Sequence, residues 1–376
     1  MELQKLGFLK NTQTLHGEEI KSLTALRFFA ALYVSLFHVH NFSGIDLGVL
    51  NTFLSNGYLA VDFFFILSGF ILAYTYAPSY IDQTFSYKKF MIKRIARIYP
   101  VHLVCLFLMV GIYAISNAAG YQLDRHPGGL YNFTLNIFML HSWGLNNHLT
   151  YNEPSWSISA EFFAYIMFPV CMLCSLRFKP SISLMIGGGL LLLVYFTLFL
   201  GLGINLNEYN PRTSLIRVII EFFIGVSLFL FFKTYKLNKQ TSNCIVVFIV
   251  ALLFLLLNKG LDVFCIPVFA ALIYLYAEQQ RQGCASFFDS AIFNYLGRIS
   301  YSFYMIHYVV WVGFLHVFLG NYMELMSADL TSSQILIYLC ITTILFFPAA
   351  MLMHHCVELP ARKWIVKKSL NSDIIN

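Results

Sequence analysis

Arg27 and His38 lie eleven residues apart inside the first long apolar stretch of the chain. Eleven residues make about three helical turns, so on a helix the two side chains share one face to within roughly 20°, ~16 Å apart along the axis. Ionisable groups inside a membrane helix are costly, and such a pair is read as functional by default. Their chemistry is complementary: the guanidinium binds something anionic, and the imidazole moves a proton. Asp62 and Glu161 belong to the same expected depth as His38. A carboxylate beside an imidazole favours its cationic form and orients its tautomer, as a general base requires. Catalytic roles are therefore expected for His38, Arg27, Glu161 and Asp62.

The elements that would position these groups are membrane helices. Hydrophobic residues make up 59% of the 376 residues and charged residues 11%, with a mean hydropathy of +0.69, which is far from soluble composition. The apolar segments predict an all-α polytopic membrane bundle of about ten transmembrane helices. They fall near 22–40, 57–77, 98–118, 155–176, 182–203, 213–232, 243–258, 262–277, 292–318 and 334–357. The stretch 131–143 is too short and too polar at its ends to cross, and reads as re-entrant or interfacial. Most of the 24 Lys and Arg fall in alternate connections, which places both termini in the cytoplasm by the positive-inside rule. The whole chain, 1–376, reads as one integral membrane domain, with 1–21 a cytoplasmic N-terminal segment and 358–376 a cytoplasmic tail.

The net charge of +6 follows from that topology and from anionic lipid head groups. It gives no reason to expect nucleic acid as a partner. Cys171 and Cys174 form a C-x-x-C within a membrane helix, where small packing residues are the simpler reading than a redox pair. No metal is implied, because His38 and His40 point to different helix faces. His354 and His355 read as interfacial.

On the cytoplasmic side the polar residues are cationic: Arg27, Arg298, Lys93, Arg94 and Arg97. Arg94 and Arg97 are neighbours on one face if their helix begins early. Guanidinium groups suit phosphate, and the gap to the outer layer matches an extended pantetheine arm, so coenzyme A fits as a ligand.

The same residues carry a family likeness over nearly the whole chain. R-x10-H is Arg27 to His38; a block at 57–72 holds Asp62, Ser68 and Gly69; KRIARIYP spans 93–100. SWSISAE holds Trp156 and Glu161; LGRISYSFYMIH at 296–307 holds Arg298, Ser300, Tyr301 and His307; E-x-P-x-R is Glu358, Pro360 and Arg362. The chain resembles the acyltransferase-3 family of integral membrane acyltransferases. The resemblance implies transfer of an acyl group, commonly acetyl, from acyl-CoA to a hydroxyl of a surface polysaccharide or lipid-linked glycan, at a bacterial inner (plasma) membrane. It implies donor binding by Arg94, Arg97, Arg298 and Lys93, and acceptor or acyl contacts by Trp156, Ser68, Tyr301 and His307. Membrane lipids surround such an enzyme, and a homodimer is compatible with it.

Blander roles stand beside these. Ser68 and Gly69 suit close helix packing better than a nucleophile and its turn. His307 is either a donor-channel residue or a satisfied core histidine. A secondary transporter with an intramembrane charged relay, and a non-catalytic scaffold, are the alternatives; thioester consumption separates the transporter from the enzyme.

Overall fold

The computed structural model describes residues 19–43, 47–48, 50–120, 128–203, 211, 213–237, 241–258, 260–313 and 332–371. These residues form helices joined by short connections. The helices are α1 (Lys21–Ser43), α2 (Leu50–Ser55), α3 (Ala60–Ile81), α4 (Tyr87–Ala118), α5 (Gly129–Ile137), α6 (Ser155–Arg177) and α7 (Pro180–Leu202). They continue as α8 (Ser214–Thr234), α9 (Thr241–Leu256), α10 (Asp262–Arg281), α11 (Ala291–Gly313), α12 (Ser332–Met353) and α13 (Leu359–Asn371). A helix lies at each of the ten expected spans.

Eight helical segments are long and apolar enough to cross a membrane by length and composition, and Cys244–Leu256 is a shorter apolar one. The expected span at 292–318 appears as α11 to Gly313; residues 314–318 lie outside the described ones, as does most of the N-terminal segment. Within 131–143 the chain makes all but the first two residues of the nine-residue α5 (Gly129–Ile137), a helix about 13 Å long and too short to cross. The expected tail begins as helix. One π-helical turn, His354–Glu358, joins α12 to α13, and Cys340–Leu370 reads as one span.

Local sequence explains several ends. Pro180 opens α7 after an extended Lys179, and Gly203 closes it at φ +64°, the usual proline-first, glycine-last arrangement. Asp62 in the first turn of α3 faces the positive end of the helix dipole.

Packing divides the chain into two compact units. The first comprises Met1–Ala30, Tyr58–Ser86 and Phe163–Arg298; the second comprises Ala31–Gly57, Tyr87–Phe162 and Ile299–Asn376. In the first unit α3 and α8 meet backbone to backbone through two glycines. A Cβ on Gly69 would stand 2.1 Å from the Phe222 carbonyl oxygen, and one on Gly225 would stand 2.0 Å from that of Ile66. Gly69 is thus a packing residue that permits close helix approach. In the second unit, long-range hydrogen bonds tie α11 to α4 and to the α5–α6 connection. The Tyr301 hydroxyl donates to the Ile98 carbonyl, and Asn152 Nδ2 donates to the Met305 carbonyl at 3.0 Å.

Candidate active site

Aromatic and imidazole rings gather around His38 in the second unit. The His38 ring centroid lies 5.4 Å from that of His307 and 5.6 Å from that of Tyr308. Both partners come from α11, where they are sequence neighbours. The Tyr308 hydroxyl donates to Glu153 Oε1 at 2.8 Å. Glu153 sits in the turn before α6, buried to 5% exposure. Tyr304, one turn earlier on α11, meets Ser157 Oγ at 2.7 Å and donates to the Pro154 carbonyl at 3.1 Å. The start of α6 and the middle of α11 are therefore held together by side-chain hydrogen bonds, with His38 against the α11 face.

His307 is fully buried, with Nδ1 2.7 Å from the Tyr304 carbonyl oxygen. A carbonyl only accepts, so Nδ1 carries a proton, and in the neutral ring Nε2 keeps its lone pair. Among the described residues Nε2 has no hydrogen-bond partner. The arrangement sets the half-buried imidazole of His38 beside the buried one of His307.

Of the other expected residues, Arg27 lies on the same uninterrupted helix as His38 and is half-buried. It falls in the first unit and His38 in the second. Glu161 is half-buried on α6, and Trp156 is buried at 8% exposure. Arg94 and Arg97 are half-buried and Lys93 is exposed. Because α4 begins at Tyr87, Arg94 and Arg97 do stand one turn apart on a single helix. Ser68 is half-buried on α3, and Arg298 is exposed at the close of the first unit.

Asp62 belongs to a buried ionic cluster in the first unit. Arg217 Nε donates to Asp62 Oδ1 at 2.7 Å, and Arg217 Nη2 approaches the same oxygen at 2.5 Å. Glu221 Oε1 lies 3.6 Å from Arg217 Nε, one helical turn along α8. All three side chains have 1% exposure or less. Nearby in that unit, the Tyr58 hydroxyl donates to Asp262 Oδ2 at 2.7 Å.

A third polar group closes the second unit. Glu358 Oε2 accepts from Ser302 Oγ at 2.7 Å and from His354 Nδ1 at 2.8 Å, and Arg97 acts on it electrostatically. His354 is buried at 7% exposure, its Nδ1 bonded to Glu358 across the π-helical turn. Outside the spans, burial first and the facing His102 second push His141 down to about 3, so its ring is neutral.

Sequence reasoning did not single out Glu153, Tyr308, Arg217 or Glu221. Only Arg217 and Glu221 carried a signal, an i, i+4 charge pair inside an apolar span. Cys171 is buried, Cys174 is exposed, and both are free thiols.

The profile of the acyltransferase domain family matches residues 20–354. The chain belongs to the acyltransferase-3 family. Its resemblance to "Acyltransferase MdmB" of Streptomyces mycarofaciens is 27% identity over 380 residues, covering 93% of both chains. It is 32% identical to "Protein 2 in picA locus" of Rhizobium radiobacter over 37% of this chain and 75% of that one. It is 25% identical to "Peptidoglycan O-acetyltransferase OatA" of Listeria monocytogenes over 56% of this chain and 32% of that protein. No solved structure matches. Membership makes the chain an acyltransferase and an integral membrane protein, and sets the transporter and scaffold alternatives aside.

Proposed function

We propose that this acyltransferase moves an acetyl group from acetyl-CoA to a hydroxyl of a cell-surface carbohydrate or its lipid-linked precursor, at a bacterial plasma membrane. The observation that supports it best is the ring cluster of His38, His307 and Tyr308, with Tyr308 bound to Glu153. One imidazole is half-open to a substrate there, against a buried wall that fixes its surroundings. In this reading the acceptor oxygen attacks the thioester carbonyl carbon. Its proton passes to His38, the C–S bond breaks, and coenzyme A leaves as a thiolate that is then protonated. Arg94 and Arg97 bind the donor phosphates through guanidinium forks, aided by Lys93. Glu161 and Trp156 flank the entry of α6. The relative named peptidoglycan O-acetyltransferase OatA supports O-acetyl transfer, with peptidoglycan as its own acceptor.

Purified full-length protein in lipid nanodiscs should release coenzyme A thiol from acetyl-CoA when envelope glycan is added. His38→Ala should lower that rate at least about a hundredfold, the lower range for loss of a general base. Wild-type rates in His38→Ala would remove the imidazole from the chemistry, and absence of thiol release by the wild type would reject acetyl-CoA as donor.

A further inference from the structure

Donors and acceptors are used unequally around the α5–α6 connection. Any side-chain nitrogen bonded to a backbone carbonyl must present an N–H, because the carbonyl cannot donate. His102 Nε2 lies 2.8 Å from the Asn136 carbonyl oxygen, which fixes a proton on Nε2; in the neutral ring Nδ1 then keeps a lone pair. Asn136 Nδ2 donates to the Asn132 carbonyl and to Thr150 Oγ1, both at 2.9 Å. Asn146 Nδ2 donates to the His148 carbonyl and Asn152 Nδ2 to the Met305 carbonyl, both at 3.0 Å. These contacts settle which end of each amide is nitrogen.

All four side chains are more than nine-tenths buried. Each retains one buried atom with no hydrogen-bond partner among the described residues: His102 Nδ1, Asn136 Oδ1, Asn146 Oδ1 and Asn152 Oδ1. Buried orphans are rare and each calls for a partner. Here all four are acceptors, and His307 Nε2 on α11 repeats the pattern. The neutral His141 ring stacks on His102 at 5.6 Å and adds no positive charge there. The same stretch holds strained backbone, with Met139 at φ +54° and Tyr151 at φ +55°; bulky residues adopt such angles only where the surroundings impose them, commonly at ligand sites.

The chemical complement is a ligand that donates several hydrogen bonds and carries no negative charge. We propose that His102, Asn136, Asn146 and Asn152 bind the uncharged, hydroxyl-rich part of the acyl acceptor. The proposal rests on the acyl-transfer reading above and adds the place and polarity of acceptor binding. Phosphate or carboxylate groups are excluded from this site because they would set lone pairs against lone pairs.

The test uses full-length protein in nanodiscs, radiolabelled acetyl-CoA and envelope glycan separated into neutral and anionic fractions. His102→Phe and Asn152→Leu should raise KM for neutral glycan about tenfold, the size of one lost hydrogen bond, with KM for acetyl-CoA unchanged. His102→Gln should recover most of the loss, since its amide can donate to Asn136 and still accept from the ligand. Unchanged glycan KM in variants that melt like the wild type overturns the proposal and leaves the orphans to water. If the variants melt early, competition on the wild type decides. Neutral glycan should displace tritiated glycan, whereas periodate-cleaved glycan should not, and stronger displacement by the anionic fraction overturns the assignment. Binding of neutral glycan through these residues without label transfer would sink the acyl-transfer reading and keep the site. Label transfer undisturbed by the substitutions would do the reverse.

Discussion

Replacing Arg217 by Met isolates the contribution of the buried ionic cluster in the first unit. The substitution keeps most of the side-chain volume and removes the guanidinium bonded to Asp62 at 2.7 Å and 2.5 Å. Asp62 and Glu221, both at 0% exposure, are left to share a buried site without their cation. Breaking a buried pair from one side costs about 3–5 kcal/mol, mostly as the penalty of the stranded charge. Scaling unfolding entropy with chain length gives roughly 0.8 kcal/mol per kelvin, so melting should fall by about 4–6 °C. The penalty belongs to the carboxylate, and Asp62→Asn added to Arg217→Met should restore at least half of it. Glu221→Gln alone should cost under about 1 kcal/mol, because its oxygen stands 3.6 Å from the guanidinium, beyond hydrogen-bond reach. The assay is the fraction of monodisperse protein surviving a temperature series, read by size-exclusion fluorescence in one detergent. If Arg217→Met melts within 1 °C of the wild type, or the double variant melts lower still, the cluster does not work through paired charge.

Other expectations follow from single contacts. Gly225→Ala drives a Cβ to within 2.0 Å of the Ile66 carbonyl oxygen, so folded yield should collapse. Gly189→Ala, with nothing within 4 Å of its Cβ, should match the wild type or gain up to about 1 kcal/mol in helix propensity. His141 ionises at about 3 when folded against 6.5 for free imidazole, so unfolding takes up a proton between those values. Stability should therefore be complete near neutral pH and fall as pH drops through that window, by about 2 kcal/mol near pH 5. A melting series across pH should show that loss, and His141→Gln should flatten it. Glu358→Leu strands two buried donors, Ser302 Oγ and His354 Nδ1, and should lower stability by about 2–4 kcal/mol in the same melting assay.

The helices were legible because membrane spans are declared by runs of apolar residues. Each expected span met a helix, from 22–40 with Lys21–Ser43 to 213–232 with Ser214–Thr234. The shared helix of Arg27 and His38 follows from helical period alone. What surrounds His38 does not. Tyr308 and Glu153 are 155 residues apart, and no local pattern says that the turn before α6 faces α11. Glu161 drew attention by its place inside an apolar span, whereas Glu153 sits in a polar connection that reads as exposed. Yet Asn146, Thr150, Asn152 and Glu153 are all buried: α11 supplies partners to Asn152 and Glu153, while His148 and Asn136 supply them to Asn146 and Thr150. The i, i+4 spacing of Arg217 and Glu221 was visible, but helical period cannot say which neighbouring helix carries the matching acid.

The Asp62–Arg217 bond spans 155 residues of chain, and this separation has a consequence for biosynthesis. Ribosomes add about 5–20 residues per second, so Asp62 emerges about 8–30 s before its counter-ion exists. A bare carboxylate in hydrocarbon is too costly to wait there ionised. Throughout that interval α3 must hold its acid protonated, remain beside the translocon, or lie short of full insertion until α8 arrives.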